Sequence, residues 1–327
     1  MEALISVVII TYNQELYIRQ SIESVWKQKV NVPIEILVGN DASTDHTKEI
    51  LEHMKQDPQL HMRMIHREKN IGASANLYDL LKRARGKYIA FLEGDDYWTD
   101  CNKLQKQIDF LKKHTKYVGC THECMLVDEN GVRMPGQSLE WISKKREFDI
   151  RTHCGFYLAG QMGTLMCRNI FQGSGEKYDI IYKAHPIISD RTVQLALVLN
   201  GPLYRMNMCM GAYRQFDGQK GENATSRYFT RNDHSHYDNF VLTCDLEAFA
   251  QTYMAKTIQF SYMKKIFFTN AVCQACRRHS YETCRDVRKI LHYPGVRQWS
   301  YLLFLPRGIL RKIIQKLKRW RLVWRFG

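Results

Sequence analysis

The chain has 327 residues, 45% of them hydrophobic and 25% charged, with a formal net charge of +15. This is an ordinary globular composition, long enough for one large domain with an appendage or for two domains. No apolar run approaches the roughly 18 residues that a membrane-spanning helix needs; Trp299 to Leu305 is far too short.

The start, Met1-Glu2-Ala3-Leu4, has no basic segment and passes straight into a strand pattern, so a cytoplasmic chain without a signal peptide is expected. Ile5 to Ile10 is the first strand, Thr11-Tyr12-Asn13-Gln14 the turn after it, and Glu15 to Lys27 a helix with Leu16, Ile18, Ile22, Val25 and Trp26 as its apolar set. Ile34 to Val38 is a second strand, followed by the polar turn Asn40 to Asp45 and a helix over Thr47 to Lys55. A third strand (Met62 to His66), the turn Asn70-Ile71-Gly72 and a helix (Ala73 to Ala84) come next. Lys87 to Leu92 is a fourth strand, ending at Glu93-Gly94-Asp95-Asp96. Strands alternating with helices predict right-handed crossovers and a mainly parallel sheet, in which ligands bind off the carboxyl ends of the strands. Three polar turns, 11–13, 40–45 and 93–96, are therefore expected on one rim.

Leu104 to Lys113 reads as a helix, Tyr117 to Cys124 and Met125 to Val127 as strands before the turn at Asp128, and Gly160 to Cys167 as a strand of small residues. A loop from His185 leads into a helix ending near Asn200, and Tyr204 to Tyr213 is a strand. From about Phe229 the pattern turns helical. The expected organisation is residues 1–228 as a catalytic domain, 229–295 as a helical region and 296–327 as a basic tail.

Adjacent carboxylates at a strand end repel, and one is driven to protonate unless a cation or hydrogen-bond donors compensate. A divalent metal is one arrangement that satisfies them, since hard cations take oxygen ligands; a solvated, helix-capping turn is the other. The ten cysteines are scattered. Cys273, Cys276, His279 and Cys284 have a zinc-like spacing, but a continuous helical pattern from Thr257 to Leu291 would not fold four ligands around one ion.

Taken in order, Ser6-Val7-Val8-Ile9-Ile10-Thr11-Tyr12-Asn13, Val38-Gly39-Asn40-Asp41-Ala42-Ser43-Thr44-Asp45, Asn70-Ile71-Gly72 with Asn76, and Gly86 to Asp96 resemble glycosyltransferase family 2 over about residues 4–215. The resemblance implies a GT-A, Rossmann-like α/β fold with helices on both faces and an α-helical C-terminal region. It also implies a nucleotide-sugar donor. Ile10, Thr11, Tyr12, Asn13, Asp41 and Asn76 would form the nucleotide pocket, where a carboxylate can accept from a uracil N–H and an aromatic ring can stack on the base. Asp41 also reads as a turn or helix cap, and Asp45 as a cap of the helix after it. In the DXD-like motif, Asp95 would lie near ribose and metal, and Asp96 would bind Mn²⁺ or Mg²⁺ directly. Asp190, before the helix of the second half, would be the catalytic base of an inverting transfer, though it also suits an N-cap; His185 is a second candidate that also reads as a loop histidine.

The chain departs from the family pattern in two places. Ala75 stands where a basic residue is common, and Phe216 where a histidine is common, which leaves Arg214 or Lys220 to meet the diphosphate. The loop Phe216 to Thr225, with Gly218 and Gly221, has the composition of a lid.

Residues 287–327 carry eleven Lys and Arg and no Asp or Glu, which leaves only +4 for residues 1–286. Within that tail Ile309, Leu310, Ile313, Ile314, Leu317 and Trp320 form an apolar stripe on a basic helix, suited to an anionic membrane surface or to docking on the body. A polyprenyl-linked glycan acceptor would agree with the first. No motif for reading nucleic acid is present. Two other readings stay open. A nucleotidyltransferase would want a Gly-rich basic loop that Thr11 to Gln14 lacks, and a non-catalytic binding module would not need Asp41, Asp95, Asp96 and Asp190.

Overall fold

The computed structural model describes residues 4–55, 62–216, 234–278 and 280–305. By contact clustering the chain divides into two compact units, Met1–Ala224 with Asp245–Ile258, and Thr225–Cys244 with Gln259–Gly327.

The first unit is built on a sheet whose described strands are β1 (Ile5–Thr11), β2 (Ile34–Asn40), β3 (Met62–His66), β4 (Tyr88–Glu93), β5 (Tyr97–Trp98), β6 (Gly119–Val127), β7 (Glu147–Phe148), β8 (Met166–Arg168) and β9 (Leu203–Arg214). Their order is β3-β2-β1-β4-β8-β6-β9-β5, with β7 also pairing β9. The block β3-β2-β1-β4 is wholly parallel, as the βαβ pattern requires. From β8 onward the sheet is mixed: β8 runs antiparallel to both β4 and β6, β6 and β9 pair parallel, and β5 and β7 run antiparallel to β9. Parallel strands are covered on both faces, which is why β1 reads as Ile-Ser-Val-Val-Ile-Ile with Ile5, Val7, Val8 and Ile9 all buried. Fully burying each such side chain is worth about 1.5–3 kcal/mol.

The crossovers are α1 (Ile18–Trp26), α2 (Thr47–Lys55) and α3 (Ala73–Arg83). α1 buries Ile18, Ile22 and Val25, but Leu16 and Trp26 are exposed. The chain is still in a turn at Leu16, where the N–H groups of Tyr17 and Ile18 both donate to the Gln14 carbonyl, so Leu16 stands outside the helical periodicity. α4 (Lys103–Lys113) follows β5, and the two strands expected at 117–127 are the single strand β6. The strand expected from Gly160 is replaced by a 3₁₀ turn, Met162–Thr164, before the short β8. Its cause is local: the Gln161 side chain accepts from the Gly163 N–H at 2.6 Å and caps the turn. α5 (Ile150–Cys154), α6 (Ile180–Lys183) and α7 (Asp190–Val198) complete the segment before β9.

α8 (Ser235–Met254) opens the helical region, followed by α9 (Ser261–Arg278), α10 (Tyr281–Leu291) and α11 (Gln298–Leu302). In the second unit Phe240, Phe268, Tyr293 and Tyr301 meet edge to face, with centroids 5.4–6.2 Å apart. The helical pattern from Thr257 to Leu291 is not continuous. Ser280 caps α10 by accepting from the Thr283 N–H, so α9 and α10 are separate helices. Cys273, Cys276 and Cys284 are free thiols, and His279 lies outside the described residues. The loop from 217 with Lys220, and the amphipathic tail from Pro306, also lie outside them. Among the described residues no helix is long and apolar enough to cross a membrane.

Candidate active site

Strand register puts the three polar turns side by side. Thr11 pairs with Asn40 and Ile10 with Glu93, so β1, β2 and β4 end together. Backbone bonds continue the alignment: the Asp41 N–H donates to the Thr11 carbonyl and the Gly94 N–H to that of Ile10, each at 3.0 Å.

At the first two turns, the Asn13 side chain accepts from the Thr44 N–H at 2.8 Å and its own N–H donates to Ser43 Oγ, which locks the first turn onto the second. Asn13 and Ala42 hold φ of 53° and 59°, the left-handed region that non-glycine residues rarely visit. Tyr12 is exposed and Ile10 half-buried. Asp41 is buried, and its two oxygens accept from the N–H groups of Ile71 and Gly72 at 2.8 and 2.9 Å. It therefore clamps the Asn70-Ile71-Gly72 turn, where Gly72 needs its φ of +90°, while Asp45 caps α2 through the Thr47 N–H. Each Asp41 oxygen keeps a lone pair for a further donor.

Asn76 faces inward. Its amide donates to the Gly39 carbonyl at 2.8 Å, and its Oδ1 accepts from Arg67 at 3.2 Å. Gly39 is required there, because a Cβ would stand 2.3 Å from Asn76 Oδ1. Arg67 is also 2.6 Å from Asp79. A basic group thus borders Asn76 although position 75 is alanine. It enters from the end of β3, a long-range placement that local sequence does not signal.

The acidic turn is the centre of the site. Glu93, Asp95 and Asp96 offer one oxygen each within 4.8 Å of one another, the one such cluster among the described residues. Asp96 is buried; its Oδ1 accepts from the Arg214 N–H and its Oδ2 from Gln161 Nε2, both at 2.8 Å. Gln161 Nε2 also donates to Glu93 Oε2 at 2.6 Å. Burial, then the charges of Asp95 and Asp190, push Glu93 up to about 8. Burial likewise raises Asp95, and raises Asp96 well above the carboxylate range, where the charges of Asp95 and Glu93 add to it. Beside them Thr11 Oγ1 and Gln14 Oε1 are buried without a hydrogen-bond partner among the described residues, and a Cβ on Gly94 would collide with both. Three mutually repelling carboxylates next to unpaired oxygens are a donor set for a hard divalent cation.

Arg214 is turned onto the backbone beside the acidic turn. It is buried, and its guanidinium donates to the carbonyls of Asp95, Asp128 and Glu129 and to Gln20 Oε1, 4.5 Å from the centre of the Tyr17 ring. It anchors the acidic turn from behind. Phe216 meets Tyr17 edge-on at 5.5 Å.

Asp190 is the first residue of α7, half-buried, and accepts from the Arg191 N–H at 2.7 Å. Its charge is felt by Glu93 and by Tyr213, near the end of β9. The Tyr213 phenol is raised well above its ordinary value by burial, then by the charges of Glu93, Asp96, Asp95 and Asp190. His185 Nδ1 accepts from the N–H groups of Ile187 and Ile188, which shapes the loop before α7. The residues that sequence reading passed over are thus Glu93, Gln161 and Tyr213. Glu93 stood in the motif itself; Gln161 and Tyr213 are brought there only by the antiparallel half of the sheet.

The sequence profile described as Glycosyl transferase family 2 matches residues 6–171. The Mycobacterium tuberculosis protein Rv1520 is 36% identical over 186 residues, which are 57% of this chain and 48% of that one. The Escherichia coli UDP-Glc:alpha-D-GlcNAc-diphosphoundecaprenol beta-1,3-glucosyltransferase WfaP is 37% identical over 111 residues, 33% of this chain and 41% of its own. The chain thus spans about half the length of curated relatives it matches. Among solved structures, S. aureus TarS 1-349 in complex with UDP-GlcNAc superposes with a TM-score of 0.63 at 18% identity, covering 94% of this chain and 83% of that one, a likeness of fold.

Proposed function

Because the chain belongs to glycosyl transferase family 2, we propose that it moves a sugar from a nucleoside-diphosphate sugar, a UDP-sugar foremost, to a hydroxyl of a glycan or lipid-linked glycan in surface-polysaccharide assembly, with inversion at the anomeric carbon. The observation that carries this reading is the cluster of Glu93, Asp95 and Asp96 at the carboxyl end of the parallel strand β4, with the charge of Asp190 felt by Glu93.

The 10–13 turn and Asp41 would hold the base and ribose. Asp96 and Asp95, with Glu93 beside them, would hold Mn²⁺ or Mg²⁺, which when bound supplies charge neutralisation for the departing diphosphate. Asp190 takes the proton of the acceptor hydroxyl as its oxygen bonds to the anomeric carbon; the bond from that carbon to the diphosphate oxygen breaks, and its electron pair leaves with the nucleotide. A positioned base of this kind contributes about 10²–10⁴-fold in rate. Gln161 holds Glu93 and Asp96 in place, and Arg214 fixes the turn through its backbone. The basic tail would keep the enzyme at the inner face of an anionic membrane.

The test is thermal stabilisation by UDP, GDP and CMP, with and without Mn²⁺, in wild type and Asp96→Asn. A ligand at about 100 times its Kd adds about 2.7 kcal/mol. Stabilisation by UDP that requires the metal and is lost in the variant is expected. A response to GDP alone would move the donor class, and a folded protein that responds to none of them would overturn the transferase reading.

A further inference from the structure

Beside the acidic turn, within the first unit, lies a groove of about 920 Å³, the size of sites that enclose small ligands. Gln161 lines it, and the same Gln161 amide donates to Glu93 and Asp96. One residue of the groove wall therefore touches the acidic turn.

The lining has a charge pattern of its own. Lys144, Lys145, Arg151 and Arg205 face Glu123 and Glu140. Arg205 is matched by Glu123 at 3.2 Å. Lys144, Lys145 and Arg151 are exposed, and none is within ion-pair distance of a carboxylate among the described residues. Tyr157, also exposed, offers a flat apolar ring to the groove, the kind of surface on which the C–H face of a sugar rests. Gly155 makes room for that ring, since a Cβ there would stand 3.2 Å from Tyr157 Cδ2.

We propose that this groove is the acceptor subsite and that it selects an acidic glycan, one with carboxylate or phosphate groups on the sugars next to the one that receives the new residue. The inference rests on the transferase reading above. Lys145 is already felt by Asp149, but a neutral glycan would bring Lys144 and Arg151 no counter-charge, whereas an anionic one would meet them in the groove that Gln161 joins to the acidic turn. Arg151 can bind a carboxylate or phosphate bidentately, and such charge-assisted bonds are about twice as strong as neutral ones.

The experiment is calorimetric titration of tetragalacturonate and of its neutral methyl ester, each into protein saturated with UDP and Mn²⁺. The proteins are wild type and the exposed-site double variant Lys144→Glu/Arg151→Glu. Wild type should bind the acid at least about tenfold more tightly than the ester at low salt, and the preference should shrink as salt screens it. The double variant should bind the acid no better than the ester. Equal affinity for acid and ester, no binding of the acid to wild type, or an undiminished preference in the variant would each overturn the inference. Stabilisation by UDP and Mn²⁺ separates the two levels. If it is present in both proteins while the acid preference is absent, only the acceptor assignment falls; if wild type lacks it, the transferase reading itself has failed.

Discussion

Lys103 opens α4 and is fully buried. Its Nζ has no hydrogen-bond partner among the described residues and lies 3.7 Å from the centre of the Trp98 ring. Burial drives its pKa well below the usual lysine range, with Cys120 pulling weakly the other way. A buried amine left unpaired costs about 1–3 kcal/mol, and a cation over an aromatic face returns about 0.5–2 kcal/mol only while it is protonated. Lys103→Met keeps the length of the side chain and removes the amine, so a gain of at least about 2 kcal/mol at neutral pH is expected, because the unpaired amine and the proton lost on folding both count against wild type. The pH dependence has a definite sign. Between the lowered folded value and the unfolded value of about 10.4, the unfolded chain binds the extra proton, so wild-type stability rises with pH by up to about 1.4 kcal/mol per unit. The variant lacks this term, so its advantage should narrow as pH rises. Urea midpoints measured for both proteins from about pH 7 to about pH 10, at unchanged slope, give the comparison. A variant less stable than wild type at neutral pH, or an advantage that does not change with pH, would refute the reasoning.

Asp190→Asn keeps an oxygen that can accept from the Arg191 N–H, so the fold should be unaffected while sugar transfer falls by about 10²–10⁴-fold; comparing turnover with the melting temperature checks both halves. Gly39→Ala puts a methyl group 2.3 Å from Asn76 Oδ1 and should cost about 1–3 kcal/mol, read as a lower urea midpoint, with weaker UDP binding. In the second unit Asp286 hydrogen-bonds His234 and raises its pKa, so this pair stabilises fully below the unfolded histidine value of about 6.5 and its contribution is lost as pH climbs through the raised folded value. His234 is over a third exposed, so the slope should be shallow. Melting curves across that range should show it in wild type and not in Asp286→Asn.

The parallel half of the fold was legible because β1, β2 and β4 are largely apolar runs that end at polar turns, with amphipathic helices between the strands. The rim followed from topology alone, since parallel strands start together and end together. The antiparallel half was harder to read. β7 and β8 are short, and Gly160 to Thr164 has the composition of a strand but is turned by the side chain of its own Gln161. The acidic turn was visible as a motif, yet the partners that tune it were not. Gln161 is 65 residues from Asp96 and Arg214 is 118 residues away, separations at which no sequence window connects them. Arg214 also shows how position near a motif and side-chain direction differ: position suggested a diphosphate ligand, while its guanidinium makes four hydrogen bonds, to three backbone carbonyls and to Gln20. Of the two readings of Asp41, the turn is seen directly, since both oxygens accept from the Asn70-Ile71-Gly72 turn, while its place beside a nucleotide belongs to the proposed function.

The order of the strands has a consequence for engineering. The turns that meet at the acidic cluster are written in one uninterrupted stretch, from β1 to Asp96, and the groove wall, Arg205 apart, in a later one, from His122 to Gln161. Between the two stretches lies α4, a helix that carries neither set. On the proposed reading, a splice made there would exchange the acceptor-facing segment of one transferase for that of another as nearly a single cassette, leaving the proposed nucleotide end untouched, provided the incoming cassette accommodates Arg205 and brings a residue able to do what Gln161 does at the seam.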